Sequence, residues 1–273
     1  MYGAVDIGGT KTLVAVFDDS GKVVEQIKFP TPKDYKDFKI ELAKTVASLS
    51  TKDFIQTVVA APGKIDRKHG IGLVFGNLPW IKIPIQQDVE AMFKCPVSVE
   101  NDANLAGLSE ALAIEDKYHK VLYVTVSTGI GSGFVVNGRI DPDTEDAEIG
   151  HILLPYKGEL KRWQEFASGR AIVANFGKRA SDIPASDTKT WDAIARNIAI
   201  GMIDIIATLT PDAIVIGGGV GSHLDKFKIP LENAMKKYDN PMVTIPPILN
   251  AKNSEEAVIY GCYAYAKQHS NAK

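Results

Sequence analysis

Three glycine-rich runs and two short carboxylate clusters carry the residue types that could do chemistry in this chain. The first run, Asp6-Ile7-Gly8-Gly9-Thr10-Lys11-Thr12, sets two glycines beside a hydroxyl and a cation. Backbone N–H groups bare of side chains can approach a phosphate closely, Thr10 and Lys11 add a donor and a charge, and Asp6 could hold Mg²⁺ through water. The same stretch also reads as a tight hairpin whose glycines take positive φ. A second run, Ser127-Thr128-Gly129-Ile130-Gly131-Ser132-Gly133, repeats the pattern. A third, Ile216-Gly217-Gly218-Gly219-Val220-Gly221, leaves flat backbone against which a ring such as adenine could lie. A dinucleotide fingerprint would open a helix, whereas the first run opens a strand, and no Walker A run occurs.

The carboxylates admit two readings each. In Glu100-Asn101-Asp102, which follows a strand and begins a helix, Asn101 or Asp102 is either an N-cap or a base. A base there would take the proton of a hydroxyl attacking a phosphoryl group. Glu148-Ile149-Gly150-His151 puts a carboxylate and an imidazole three residues apart. No cysteine or further histidine stands near them to complete a zinc site, and hydrogen bonding to the vicinal hydroxyls of a sugar is the other reading.

Strands and helices must hold these runs. Tyr2 to Ile7, Thr12 to Phe17 and Lys22 to Phe29 are rich in β-branched and aromatic residues, and their short separators predict an antiparallel meander. Phe38, Leu42, Val46 and Leu49 recur at helical spacing, and Gln56 to Ala61 reads as a buried strand. Pro96 to Val99 is a further strand, followed by a helix over Ala103 to Ala113. A second strand set, Val121 to Val126 and Gly133 to Val136, flanks the second glycine run. Helices are expected over Ala167 to Arg179, Trp191 to Leu209, Leu224 to Lys236 and Glu255 to Ala266, with a strand over Ala213 to Ile216. Strands with a glycine-rich turn followed by helices thus occur twice, which predicts two related α/β lobes divided near Ile114 to Lys120.

Bulk composition narrows the classes. The 273 residues correspond to about two domains at a nominal ~150 each. With 31 basic and 33 acidic side chains the net charge is −2, leaving no basic excess for a nucleic-acid backbone. Two cysteines, Cys95 and Cys262, make no disulfide framework and point to a reducing cytosol. The start MYGAVDIGG lacks signal-peptide features, and polar residues interrupt the most apolar segment, so a cytoplasmic protein with no membrane partner is expected.

In this order the motifs resemble the ROK family (repressors, open reading frames, kinases) of the sugar-kinase, actin and heat-shock-chaperone superfamily, over nearly the whole chain. DIGGTKT at 6–12 resembles its first phosphate motif, STGIGSGFVVNG at 127–138 its second, and IVIGGGVG at 214–221 its adenosine motif. ENDAN at 100–104 places the family's catalytic aspartate on Asp102, and AEIGH at 147–151 places its sugar-binding pair on Glu148 and His151. APG at 61–63 and NLPW at 77–80 also fall at family-like positions.

The resemblance implies an α/β fold of two RNase-H-like (actin/hexokinase-type) lobes with an inter-lobe cleft. Residues 1–113 and a C-terminal helix within 253–273 would make the first lobe and residues 114–252 the second. The implied activity is transfer of the ATP γ-phosphate to a hexose, most simply glucose to glucose 6-phosphate, with Mg²⁺. An N-acetylhexosamine or fructose kinase, a polyphosphate-using glucokinase and a non-catalytic sugar or nucleotide sensor are the alternatives. Asp6 would place the metal. Gly8, Gly9, Thr10, Lys11, Thr128 and Gly129 would hold phosphates, with Gly218 and Gly219 behind the adenine. Gly63, Asn77, Asn101, Asp102, Glu148, His151 and Gln164 would meet the sugar. A homodimer is compatible with the resemblance.

Two departures stand out. No cysteine lies between Glu148 and Ser168, where the family usually carries a zinc segment, so no zinc site is expected. Gln164 aligns with a family glutamate on the anomeric side of the sugar, with Glu165 next to it. The family's regulators begin with a DNA-binding module, whereas here the first strand starts at residue 2, so no repressor role is expected.

Overall fold

The computed structural model describes residues 1–252 and 256–270. These divide into two compact units. One holds Met1–Ser109 and the residues from Glu256 onward, and the other runs from Glu110 to Lys252.

In the first unit β1 (Tyr2–Ile7), β2 (Lys11–Phe17) and β3 (Val23–Pro30) make the expected antiparallel meander. Asp34 starts α1 (Tyr35–Ser48) by accepting from the Lys36 and Asp37 N–H groups, and the chain returns in β4 (Gln56–Ala61), parallel to β1. An antiparallel sheet of short strands follows, β5 (Gly63–Asp66), β6 (Ile71–Phe75) and β7 (Ile81–Ile83), together with α2 (Ile85–Phe93). β8 (Val97–Asn101) then joins β4 in parallel, giving the order β3-β2-β1-β4-β8, and runs directly into α3 (Asp102–Leu112).

Side-chain alternation along these strands builds two cores on one sheet. Val5, Ile7, Val14, Val59 and Val99 face Phe38, Leu42, Ile85 and Val89 of α1 and α2. Ala4, Ala15, Phe17, Val58 and Ala60 face Leu105 of α3 and Ile259, Cys262 and Ala266 of the C-terminal helix Ala257–Ser270. Phe17 is fully buried, with Tyr263 stacked 5.2 Å away. The expected helix start at Glu255 lies outside the described residues.

The second unit repeats the plan. β9 (Lys120–Val126), β10 (Ile130–Val136) and β11 (Arg139–Ile140) form a meander, and β9 is followed in the sheet by two parallel strands, Ala213–Gly217 and Ile248–Asn250. A hairpin of β12 (Leu153–Tyr156) and β13 (Glu159–Arg162) leads into α4 (Trp163–Ala167), α5 (Gly169–Phe176) and the long α6 (Thr188–Leu209). β14 (Ala213–Gly217), the single turn α7 (Gly218–Gly221), α8 (Leu224–Lys236) and β15 (Ile248–Asn250) complete it. The apolar face of α6, Trp191, Ile194, Ile198, Met202 and Ile205, packs into this unit's core. Among the described residues no helix is long and apolar enough to cross a membrane.

Two expectations change in detail. β10 begins at Ile130, because Gly131 and Gly133 pair with Thr125 and Tyr123, so the second glycine turn shrinks to Ser127-Thr128-Gly129. The helix expected over Ala167 to Arg179 is two helices broken at Ser168, whose extended backbone lets the next N–H, that of Gly169, donate to Ser127 O at 2.7 Å. That break binds the start of α5 to the glycine turn.

Candidate functional site

The first glycine turn is closed by the Gly8 N–H donating to Lys11 O at 3.0 Å. Thr31 Oγ1 donates to Gly8 O at 2.8 Å, and Lys33 Nζ reaches Gly9 O at 3.0 Å and Asn77 O at 3.4 Å. The run is a tight hairpin turn between β1 and β2, but neither Gly8 nor Gly9 takes positive φ, so the turn does not need glycine for the left-handed region. The glycines answer to space instead. A Cβ at Gly8 would lie 2.7 Å from Lys11 O, and one at Gly9 2.7 Å from Asn77 Cβ. Thr10, Lys11 and Asn77 are exposed. Lys33 is the residue that sequence reasoning missed here, since nothing in its context distinguishes it from other surface lysines.

Asp6, near the end of β1, lies beside Ala60, which in turn pairs with Glu100 of β8. Burial pushes the Asp6 carboxyl up to about 7, the charge of Asp102 adding to the effect and Lys28 opposing it. Asp6 and Asp102 are therefore electrostatic neighbours.

At the β8–α3 junction it is Asn101 that caps the helix. Its Oδ1 accepts from Ala103 N at 2.8 Å and Asn104 N at 3.3 Å, the two donors that an N-cap serves. Its Nδ2 donates to Gly63 O at 3.2 Å. Gly63 has φ +110, and a Cβ there would collide with Val74 O, so this position accepts no other residue without distortion. Asp102, the first residue of α3, accepts from the next N–H, that of Ala103, at 2.8 Å. Glu100 is 1% exposed and paired with Arg67, a residue the sequence gave no reason to single out.

In the second unit the β12–β13 hairpin brings two expected residues together. Its base is closed by Trp163 N donating to Ile152 O at 2.9 Å, which sets Gln164 Nε2 3.0 Å from His151 Nε2. Trp163 is fully buried, and its Nε1 donates to Asn197 O while Asn197 Nδ2 donates to Phe166 O, fixing α4 on α6. Glu165 is occupied elsewhere, accepting from Arg162 N at 2.8 Å in a capping box, so Gln164 and not Glu165 faces the imidazole. A Cβ on Gly129 would lie 2.8 Å from Gln164 Oε1, which places the second glycine turn against the same amide. Glu148 is exposed and begins the short turn carrying His151, whose N–H donates to Glu148 O at 2.9 Å. Thr128 is exposed.

The third glycine run divides by cause. Gly218 has φ +81, and a Cβ there would lie 2.5 Å from Thr125 Oγ1, so the fold demands it. At Gly219 the nearest atom to a Cβ would be Ser127 Oγ at 3.9 Å, and its bareness faces open space.

A paired set of mixed sheets, each a meander continued by parallel strands, is the architecture of actin/hexokinase-type lobes. The solved ROK family glucokinase of Streptomyces griseus, in complex with glucose and AMPPNP, shares the fold with a TM-score of 0.82, over 98% of this chain and 99% of that one, at 24% identity. The model of the ROK family matches residues 2–269, and the chain belongs to that family of sugar kinases. A glucokinase of Streptomyces coelicolor is 29% identical over 274 residues, covering 86% of each chain. A fructokinase of Zymomonas mobilis is 30% identical over 247 residues, covering 82% of this chain and 81% of that one.

Proposed function

We propose that this ROK sugar kinase moves the γ-phosphate of ATP to a hexose hydroxyl, with glucose converted to glucose 6-phosphate. The observation that carries the reading is at the start of α3. The cap is Asn101, so capping does not account for the carboxylate of Asp102, which stands in electrostatic reach of Asp6. Asp102 is the base that takes the proton of the attacking hydroxyl. Gly63, Asn77, Asn101, Glu148, His151 and Gln164 bind sugar hydroxyls. Gly8, Gly9, Thr10, Lys11, Thr128 and Gly129 hold phosphate oxygens, and Gly218 and Gly219 back the adenine.

The residues fit a divalent cation, because Asp6 and Asp102 disfavour each other's charge and a cation beside them removes that cost. Asp6 would hold Mg²⁺ through water, and the ion would neutralise charge on the phosphates. Most of the rate enhancement then comes from positioning, since phosphoryl transfer asks for little covalent help.

ADP release measured over a panel of hexoses, with ATP and polyphosphate compared as donors, tests this. Glucose with ATP is expected to give the highest kcat/KM, and ATP turnover that no hexose stimulates would overturn the reading. A fructose substrate is the second reading, favoured by the similarity to the Zymomonas fructokinase.

The His151–Gln164 contact makes its own prediction. Gln164→Leu removes the hydrogen bond without adding charge, and a bond of this kind is worth about 1 kcal/mol, or several-fold in affinity. The hexose KM is expected to rise about fivefold to tenfold with the ATP KM within about twofold. Equal KM values in the variant and the parent would remove Gln164 from the sugar site.

A further inference from the structure

We infer that Arg67 is a positioning residue for the proposed phosphoryl transfer, acting through Glu100 on the segment that carries Asn101 and Asp102; this rests on the function proposed above. The Arg67 guanidinium grips both oxygens of Glu100, with Nε 2.8 Å from Oε2 and Nη2 2.6 Å from Oε1. Glu100 Oε1 also accepts from the backbone N–H of Asn101 at 2.6 Å and from Asn104 Nδ2 at 2.9 Å. One buried carboxylate thus ties together the last residue of β8, the first turn of α3 and an arginine that lies just beyond β5.

The position of Arg67 gives the pair its reach. It follows the strand that begins at Gly63, the residue whose carbonyl accepts from Asn101 Nδ2, and the same small sheet leads to Asn77. The neutral bond from Asn101 to Gly63 and the bidentate ion pair both hold that sheet against the β8–α3 junction. Bidentate Arg–carboxylate pairs fix geometry as well as charge, and lysine cannot reproduce the fork. With the guanidinium gone, a carboxylate 1% exposed has lost its cation and is drawn toward water. That movement loosens its hold on the Asn101 N–H and the Asn104 amide, and with it the placement of the Asn101 amide and the Asp102 carboxylate.

The test uses Arg67→Lys and Arg67→Ala in the full chain, with hydrogen exchange and steady-state kinetics measured on each. In Arg67→Lys, exchange of the amides at 101–104 is expected to quicken about tenfold or more, while exchange in α1 stays as in the parent. The hexose KM is expected to rise about tenfold and kcat to fall, with the ATP KM within about twofold. Arg67→Ala should show the larger loss, and if it does not fold, Arg67→Lys alone decides. Unchanged exchange at 101–104 would overturn the inference, as would quickened exchange or a lowered melting temperature with hexose KM and kcat unchanged. If the parent itself phosphorylates no hexose, the functional reading falls and the positioning role falls with it, an outcome read without any variant.

Discussion

Asp102→Asn is expected to lower kcat by about 10²–10⁴-fold, the range that a positioned general base contributes. The amide keeps the size of the carboxylate and can still hydrogen-bond a hydroxyl, so sugar affinity should stay within about tenfold. A role confined to the helix terminus predicts something else. Asn serves a helix start about as well as Asp, and here the cap is already Asn101, so neither rate nor stability would change. Turnover and thermal melting of the one variant separate the two accounts. Retention of more than about a tenth of the parental kcat would remove Asp102 as the base and make Glu148 the next carboxylate to test.

Asp6→Asn is expected to stabilise the ligand-free protein while abolishing turnover. The Asp6 carboxyl is raised from 3.8 to about 7, so the folded chain holds its proton more tightly than the unfolded chain does. Well below pH 3.8 both states are protonated and Asp6 costs nothing. Between there and about 7 stability falls as pH rises, and above 7 the full penalty stands. The shift would correspond to about 4 kcal/mol at 1.36 per unit, and partial exposure of the residue reduces this to on the order of 2 kcal/mol. At pH 8 the variant should melt roughly 5 °C above the parent, with the gap closing toward pH 4. A parent whose melting temperature does not fall relative to Asp6→Asn between pH 5 and pH 8 would show that the carboxyl is not held neutral by its surroundings. A stability gained by deleting a charged group at the expense of activity is what a site built for a ligand's charge produces.

Much of the scaffold could be read from local pattern. β1 and β2 are buried apolar runs and β3 alternates, all set between short turns, and α6 repeats its apolar face over six turns, so these elements are written in nearest-neighbour spacing. The small sheet of β5 to β7 was not legible, because strands of three to five residues leave too few alternations to stand out. Arg67 escaped for a related reason. Its partner Glu100 lies 33 residues on, inside the ENDAN motif, but nothing around Arg67 itself carries a motif that would point to that pairing. The sequence leaves two physical causes open for the first glycines, and the structure separates them. Positive φ was one reading of Gly8 and Gly9, whereas close approach to Lys11 O and Asn77 Cβ is what requires them.

At Gln164 and Glu165 two neighbours compete for one task, and only the capping box shows that Glu165 is occupied by Arg162. The break at Ser168 depends on the carbonyl of Ser127, far away in sequence, and no periodicity could announce it. Candidate residues came from motif chemistry, and what joins them came from long-range hydrogen bonds.

The most direct test follows the phosphorus atom. ATP labelled in its γ-phosphate is incubated with the protein and glucose, and the products are separated. The account predicts label in a hexose phosphomonoester in a one-to-one ratio with ADP, and loss of that product in Asp102→Asn. Label appearing only as inorganic phosphate, or no transfer to any hexose supplied, would contradict it.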